Sequence, residues 1–147
     1  MAKRPQERMS DDHISKADFE TLANFRYQLR RYLRFSEELT HRNGITPLQY
    51  LLMLQIKGFP GRESANVGEL AERLQAKHHG VVSLISRCEA VGLVQRSVSN
   101  SDRRQVDVQL TEKGNECVEQ LAGLHRRELL SLQGTFTVPD LTTLGRE

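Results

Sequence analysis

Between Thr46 and Ile56 apolar positions follow one another almost without interruption: Leu48, Tyr50, Leu51, Leu52, Met53, Leu54 and Ile56. A helix apolar on nearly every side is expected to be buried on nearly every side, which makes this segment the spine of its domain. Thr46-Pro47-Leu48-Gln49 opens it with an N-cap threonine, proline at N1 and glutamine at N3, and Lys57-Gly58 ends it. Upstream the pattern is one-sided. From Ser15 to His41, Phe19, Leu22, Phe25, Leu29, Leu33, Ser36 and Leu39 recur at helical steps, Tyr32 and Phe35 widen the stripe, and Arg26, Arg30, Arg31 and Arg34 line the opposite side. Asn43-Gly44 breaks that long amphipathic helix. Met1 to Asp12 has no periodicity and mixes both charges, as a mobile tail does.

Phe59-Pro60-Gly61 through Ser64 reads as a loop leading into a short strand, and then the period shortens and changes twice. Asn66 caps a short helix with Glu69 at the capping-box position; Leu70, Ala71 and Leu74 share one face, Glu72 and Arg73 the other. Gln75 to Lys77 form a turn. A second helix runs from His78 to Val91 and stops at Gly92, a natural C′ residue. Its buried stripe is Val81, Leu84, Ile85, Cys88 and Val91, which leaves His78, His79, Val82, Ser83, Ser86 and Arg87 facing out. After Gly92 the period becomes two: Val94, Arg96 and Val98, then Val106, Val108 and Leu110, make two strands. The loop between them, Ser99 to Gln105, is rich in turn formers and carries Asp102, Arg103 and Arg104.

A helix-turn-helix followed by a hairpin with a basic tip is a winged helix, and the outward residues suit duplex DNA. Arg87 matches guanine or phosphate, Val82 a thymine methyl, and Ser83 and Ser86 base edges, while Lys77, His78 and His79 suit backbone phosphate. A narrow, negative minor groove attracts inserted arginine, which gives Arg103 and Arg104 a task. A solvated face is the bland alternative; the flanking wing favours the nucleic acid.

The same residues carry a family resemblance. Asp102-Arg103-Arg104-Gln105-Val106-Asp107-Val108-Gln109-Leu110-Thr111 resembles the wing signature of the MarR family of bacterial transcription regulators, Asp-x-Arg, three residues, then apolar-x-Leu-Thr. Leu70-Ala71-Glu72-Arg73-Leu74 and Glu89-Ala90-Val91-Gly92-Leu93-Val94 resemble that family's first helix-turn-helix helix and the end of its recognition helix. Val82 and Ser83 depart from it, standing where many relatives carry Thr and Arg, and Gly80 weakens the start of the second helix. The resemblance implies a ligand-responsive repressor, with a small aromatic or phenolic effector held between dimer helices and DNA-binding lobe. Tyr27, Arg31, Tyr50 and Met53 are the candidate lining for that effector.

Thr111 is a good N-cap for a last long helix, to about Gln133, with Cys117, Val118, Leu121, Leu124, Leu129, Leu130 and Leu132 on its apolar face. Gly134 and Pro139 interrupt, and Val138 to Leu144 read as a final short helix. Long striped helices on both flanks of a small helix-turn-helix pack economically on the same pair from a second copy, which would set two recognition helices roughly 34–36 Å apart. The resulting expectation is a mainly α, α+β chain in one domain. Residues 1–12 are tail, 13–44 and 112–147 are dimerisation helices, and 45–111 form the winged helix-turn-helix lobe.

Composition adjusts this picture modestly. The 147 residues carry a net charge of +2, too little to demand a polyanion partner by itself. From Arg73 to Arg104, six Lys and Arg face only Glu89 and Asp102, yet starting the count at Glu69 halves the local excess of four. No apolar run has membrane-helix length and no signal-peptide pattern opens the chain, so no membrane partner is expected. Two cysteines on inward-looking helical faces suit a reducing cytoplasm. The histidines, His13, His41, His78, His79 and His125, are scattered, and adjacent His78 and His79 point about 100° apart on a helix, so neither a metal, a cofactor nor a catalytic constellation is expected. Two other readings remain: a winged-helix module that binds protein, and a thiol-based redox sensor through Cys88 or Cys117.

Overall fold

A computed structural model of the chain describes residues 13–99, 102 and 104–131. Among them the order is α1 (Lys16–Arg42), α2 (Pro47–Lys57), β1 (Ser64–Asn66), α3 (Val67–Leu74), α4 (His78–Ala90), β2 (Val94–Val98), β3 (Val106–Leu110) and α5 (Glu112–Ser131). The expected tail at Met1–Asp12, the residues beyond Ser131 and the short helix at Val138–Leu144 lie outside the described residues. The chain divides into a unit at Arg34–Ser131 and a second unit whose described part is residues 13–33.

Residues 13–33 hold the first half of α1. Ser15 and Asp18 begin it reciprocally, the Asp18 N–H donating to Ser15 Oγ at 3.2 Å and the Ser15 N–H to Asp18 Oδ2 at 2.9 Å. Along this segment Phe19 is 58% exposed, and Leu22 and Leu33 on the same stripe are also open.

The 34–131 unit is built on α2. Thr46 and Gln49 form the reciprocal capping box that the sequence announces, with Pro47 at N1. Tyr50, Leu52, Met53 and Ile56 are buried, and α3, α4 and α5 pack against the helix. Leu48 and Leu51 correct the expectation of burial all round: they are 52% and 40% exposed. They lie three residues apart on one side of α2, and α3, α4 and α5 occupy the sides that hold the buried residues.

The sheet has the order β1-β3-β2, both pairings antiparallel, with Ala65 opposite Val108 and Arg96 opposite Val108 on the other side. Ala65, Val94 and Val108 are its buried residues. Val98 and Val106, paired across the hairpin, are 62% and 39% exposed, because only the base of the wing rests on the helical core. The core joins these strands to Leu70, Val81, Leu84, Ile85, Cys88, Leu93, Val118 and Leu121.

Beneath α2, the second half of α1 meets α5 at one buried polar group. His125 Nδ1 is 2.7 Å from Leu121 O, its own helix's previous turn, and Nε2 is 2.7 Å from Ser36 Oγ on α1. The Tyr50 ring stacks on the imidazole at 4.5 Å, and Phe35 meets it edge-on at 5.9 Å. At the other end of α2, Lys57 Nζ donates to Asn115 Oδ1 at 3.1 Å and pairs with Glu63 at 3.2 Å.

Candidate nucleic-acid interface

The helix-turn-helix is assembled by caps at four places. Asn66 and Glu69 form the capping box that starts α3, the Glu69 N–H donating to Asn66 Oδ1 at 2.8 Å and the Asn66 N–H to Glu69 Oε1 at 3.0 Å. Arg62 pairs with Glu69, and both Arg62 and Arg73 lie over the Phe59 ring, at 4.3 and 5.3 Å from its centre. The helix ends in a Schellman arrangement: Ala76 N donates to Ala71 O and Gln75 N to Glu72 O, with Gln75 itself left-handed at φ +49°. Gln75 is the one non-glycine residue with positive φ among the described residues.

Lys77 then caps α4 in an extended conformation without a side-chain hydrogen bond, so the first N–H groups of this helix are left for solvent or a ligand. Val81, Leu84, Ile85 and Cys88 bury one face. His78, His79, Val82, Ser83, Ser86 and Arg87 are all exposed on the other, as their spacing requires, and Lys77 is exposed beside them.

Val91 does not join the buried stripe; it is 48% exposed. The helix ends at Ala90, Gly92 turns left-handed at φ +76°, and Leu93 N reaches back to Cys88 O at 2.9 Å while Gly92 N reaches Glu89 O at 3.0 Å. This second Schellman turn carries Leu93 into the core in the place Val91 was expected to hold.

The carbonyls so exposed are taken up by the start of α5. Thr111 Oγ1 donates to Gly92 O at 2.5 Å, Thr111 N to Leu93 O at 3.1 Å, and Lys113 Nζ to Val91 O at 2.7 Å. Thr111 Oγ1 also accepts from the Gly114 N–H at 3.0 Å, the N-cap role read from the sequence. The end of α4 and the beginning of α5 are therefore stitched together through backbone carbonyls.

At the wing, Asp102 acts on the loop itself: its Oδ1 accepts from Arg104 N at 2.9 Å, and its carbonyl accepts from Gln105 N at 3.0 Å. Arg104 is exposed beyond this turn. Arg103 lies outside the described residues. Asn66 Nδ2 donates to Gln105 Oε1 at 3.3 Å, tying the wing's root to the cap of α3. Asn66, Val67, Gly68, His78, Arg104, Gln105 and Val106 enclose an open cleft of about 370 Å³. It brings Arg104 and His78 to one place; Arg87 and Ser86, two turns along α4, are not part of that cleft.

Sequence reasoning gave Arg96 no role. On β2 it shares the sheet face of Val94, and its guanidinium lies along α4: Nη1 donates to Glu89 Oε1 at 2.9 Å and Nη2 to Ser86 Oγ at 2.8 Å, while its N–H donates to Glu89 Oε2 at 3.1 Å. Its parity with Val94 was the available signal. His125 was likewise read as scattered, although it falls one turn after Leu121 on the buried stripe of α5.

The effector candidates fall two in each unit. Met53 is fully buried in the core and Tyr50 is 4% exposed against His125, whereas Tyr27 is 58% exposed with the Arg31 guanidinium 5.7 Å from its ring centre. Both thiols are held protonated. Burial pushes Cys88 up to about 11, against the opposing pull of Arg87, and burial also raises Cys117, partly offset by Lys113. Among the described residues no helix is long and apolar enough to cross a membrane.

Comparison with known proteins agrees with this geometry. A MarR family model matches residues 43–105, from the turn before α2 through the wing loop. The transcriptional repressor MdtR of Bacillus subtilis is 33% identical over 87 residues, which are 58% of this chain and 54% of that protein. The chain thus spans about half the length of the curated relatives it matches. Among solved structures, a MarR family protein from Bacillus stearothermophilus superposes with a TM-score of 0.67 at 25% identity, covering 82% of this chain and 81% of that one. AbsC, a MarR family transcriptional regulator from Streptomyces coelicolor, shares the fold with a TM-score of 0.72 at 22% identity, over 90% and 89% of the two chains. The helix-turn-helix with its β1-β3-β2 wing, the matched family model and the related sequence all support a MarR-family winged-helix protein.

Proposed function

We propose that the protein is a sequence-specific, double-stranded DNA-binding transcription regulator, a repressor that acts as a homodimer on a palindromic operator. The observation that carries this reading is the outward face of α4. Six residues from His78 to Arg87 stand exposed there, with an uncapped helix start at one end and the Arg104 wing turn beside it. Base edges are read by such side chains in a major groove, and phosphate binds at a free helix start. Arg104, and Arg103 next to it, are assigned to the minor groove or its phosphates, with Asp102 holding the turn that presents them.

Bare apolar positions support the dimer. Phe19, Leu22 and Leu33 on the first half of α1, and Leu129 and Leu130 at the end of α5, are exposed in the single chain. Sedimentation of the full-length protein at micromolar concentration is expected to give a dimer; a stable monomer would end both the dimer and the palindrome. Release by a small aromatic or phenolic effector completes the proposal. Such a compound must bind free protein more tightly than the DNA complex, by the same factor that DNA weakens its binding. Calorimetry with and without operator measures both legs, and equal affinities would rule the compound out. The raised thiols speak against the redox-sensing alternative, since the thiolate is the reactive form.

DNA binding is tested by fluorescence anisotropy with duplexes selected from a randomised pool. Arg104→Ala is expected to weaken binding to all of them and to lower the salt slope by about one. Unchanged affinity and slope would show that the wing is not a DNA element.

A further inference from the structure

The recognition face holds a hydrogen-bond network whose direction is dictated by chemistry. A guanidinium has only donors, so where Arg96 Nη2 stands 2.8 Å from Ser86 Oγ, the hydroxyl must accept. The single hydroxyl hydrogen goes instead to Val82 O, 3.1 Å away on the preceding turn. Ser86 therefore has no donor left, and its exposed hydroxyl oxygen keeps one free lone pair. Arg96 is itself held in place by Glu89, which takes both its Nη1 and its main-chain N–H. The same pairing neutralises the one carboxylate at this end of α4, which would otherwise face phosphate uncompensated.

Resting on the DNA-reading role proposed for α4, we infer that Arg96 is a positioning residue for base readout. It fixes Ser86 as an acceptor, so that this position selects a base offering an exocyclic amine in the major groove, adenine or cytosine. A free serine hydroxyl can donate or accept and discriminates neither. Guanine and thymine present only acceptors at the corresponding edge, and an acceptor-only Ser86 meets them with repulsion.

The test compares selected-sequence profiles of full-length wild type, Ser86→Ala, Arg96→Lys and the double variant on one randomised duplex library. Wild type is expected to show a column enriched in adenine or cytosine by about three- to tenfold, the worth of one hydrogen bond. Ser86→Ala should erase that column alone. Arg96→Lys keeps the charge beside Glu89 but cannot hold Glu89 and Ser86 together in one planar fork. It should erase the same column while weakening binding to the preferred sequence by no more than about three- to tenfold, the worth of that one hydrogen bond. The double variant should lose nothing more there. Three outcomes would overturn the inference: an intact column in Arg96→Lys, loss at a different column from that of Ser86→Ala, or a guanine or thymine preference that Ser86→Ala removes. Absence of any enrichment by wild type would instead overturn the DNA-binding reading, and this inference with it.

Discussion

Gly114 occupies the tightest point of the junction between α4 and α5. A Cβ built there would stand 2.0 Å from Leu93 O and 3.0 Å from Leu93 C, both backbone atoms that no rotamer change can move. Restoring ordinary contact requires α5 to lift from Leu93 by more than an ångström. That displacement breaks the bonds from Thr111 N to Leu93 O and from Thr111 Oγ1 to Gly92 O, at about 0.5–1.5 kcal/mol each. Overpacking adds about 1–3 kcal/mol, so Gly114→Ala is expected to destabilise the protein by roughly 2–6 kcal/mol. Gly123 is the control. It lies mid-helix on the same α5 with nothing within 4 Å of its Cβ position, and Gly123→Ala should stabilise by about 0.5–1 kcal/mol. The chain has no tryptophan, so urea unfolding is best followed by circular dichroism at the helical band. A Gly114→Ala midpoint and m-value equal to wild type would refute the close approach of α5 to the end of α4.

Gln75 holds a left-handed conformation that glycine adopts freely, at the loss of its Nε2 bond to Glu72 O; Gln75→Gly is expected to raise stability by about 0.5–1 kcal/mol in the same unfolding assay. Cys88 keeps its proton more tightly when folded, about 11 against an ordinary 9.0, so its contribution to stability is complete below pH 9 and is lost as pH rises from there through 11. Unfolding free energy measured across that window should fall more steeply for wild type than for Cys88→Ala, and parallel curves would contradict the buried, neutral thiol. His125→Phe keeps the stack on Tyr50 but removes the partner of Ser36 Oγ and the side-chain bond to Leu121 O, and should cost about 1–3 kcal/mol by thermal unfolding.

What was legible in the sequence was local. Thr46-Pro47-Gln49, Asn66 with Glu69, and Thr111 sit at helix starts because each satisfies N–H groups within three residues of itself, and the structure has them there. Gly92 stops α4 for an equally local reason. The misses arise where a distant element decides. Val91 continues a helical stripe by spacing, yet the Schellman turn at Gly92 rotates the chain and delivers Leu93 to the core. Leu48 and Leu51 read as spine residues, but which sides of α2 are covered depends on where α3, α4 and α5 dock. Val98 and Val106 alternate as core residues do, and only the reach of the hairpin past the helices leaves them open. Arg96 meets Ser86 ten positions away, and His125 meets Ser36 eighty-nine away. No periodicity encodes either contact. At the candidate interface the outward face of α4 was fully readable, while the residue that orients Ser86 on it was not.

The central claim, that α4 and the wing of a dimer read duplex DNA, is tested most directly by the selected-sequence profile of the wild-type protein from a randomised library. The expected result is an inverted repeat whose half-site centres lie about 10–10.5 base pairs apart, the spacing two recognition helices of a two-fold dimer impose. A library that returns no enriched sequence, or a single half-site without its inverted mate, would contradict it.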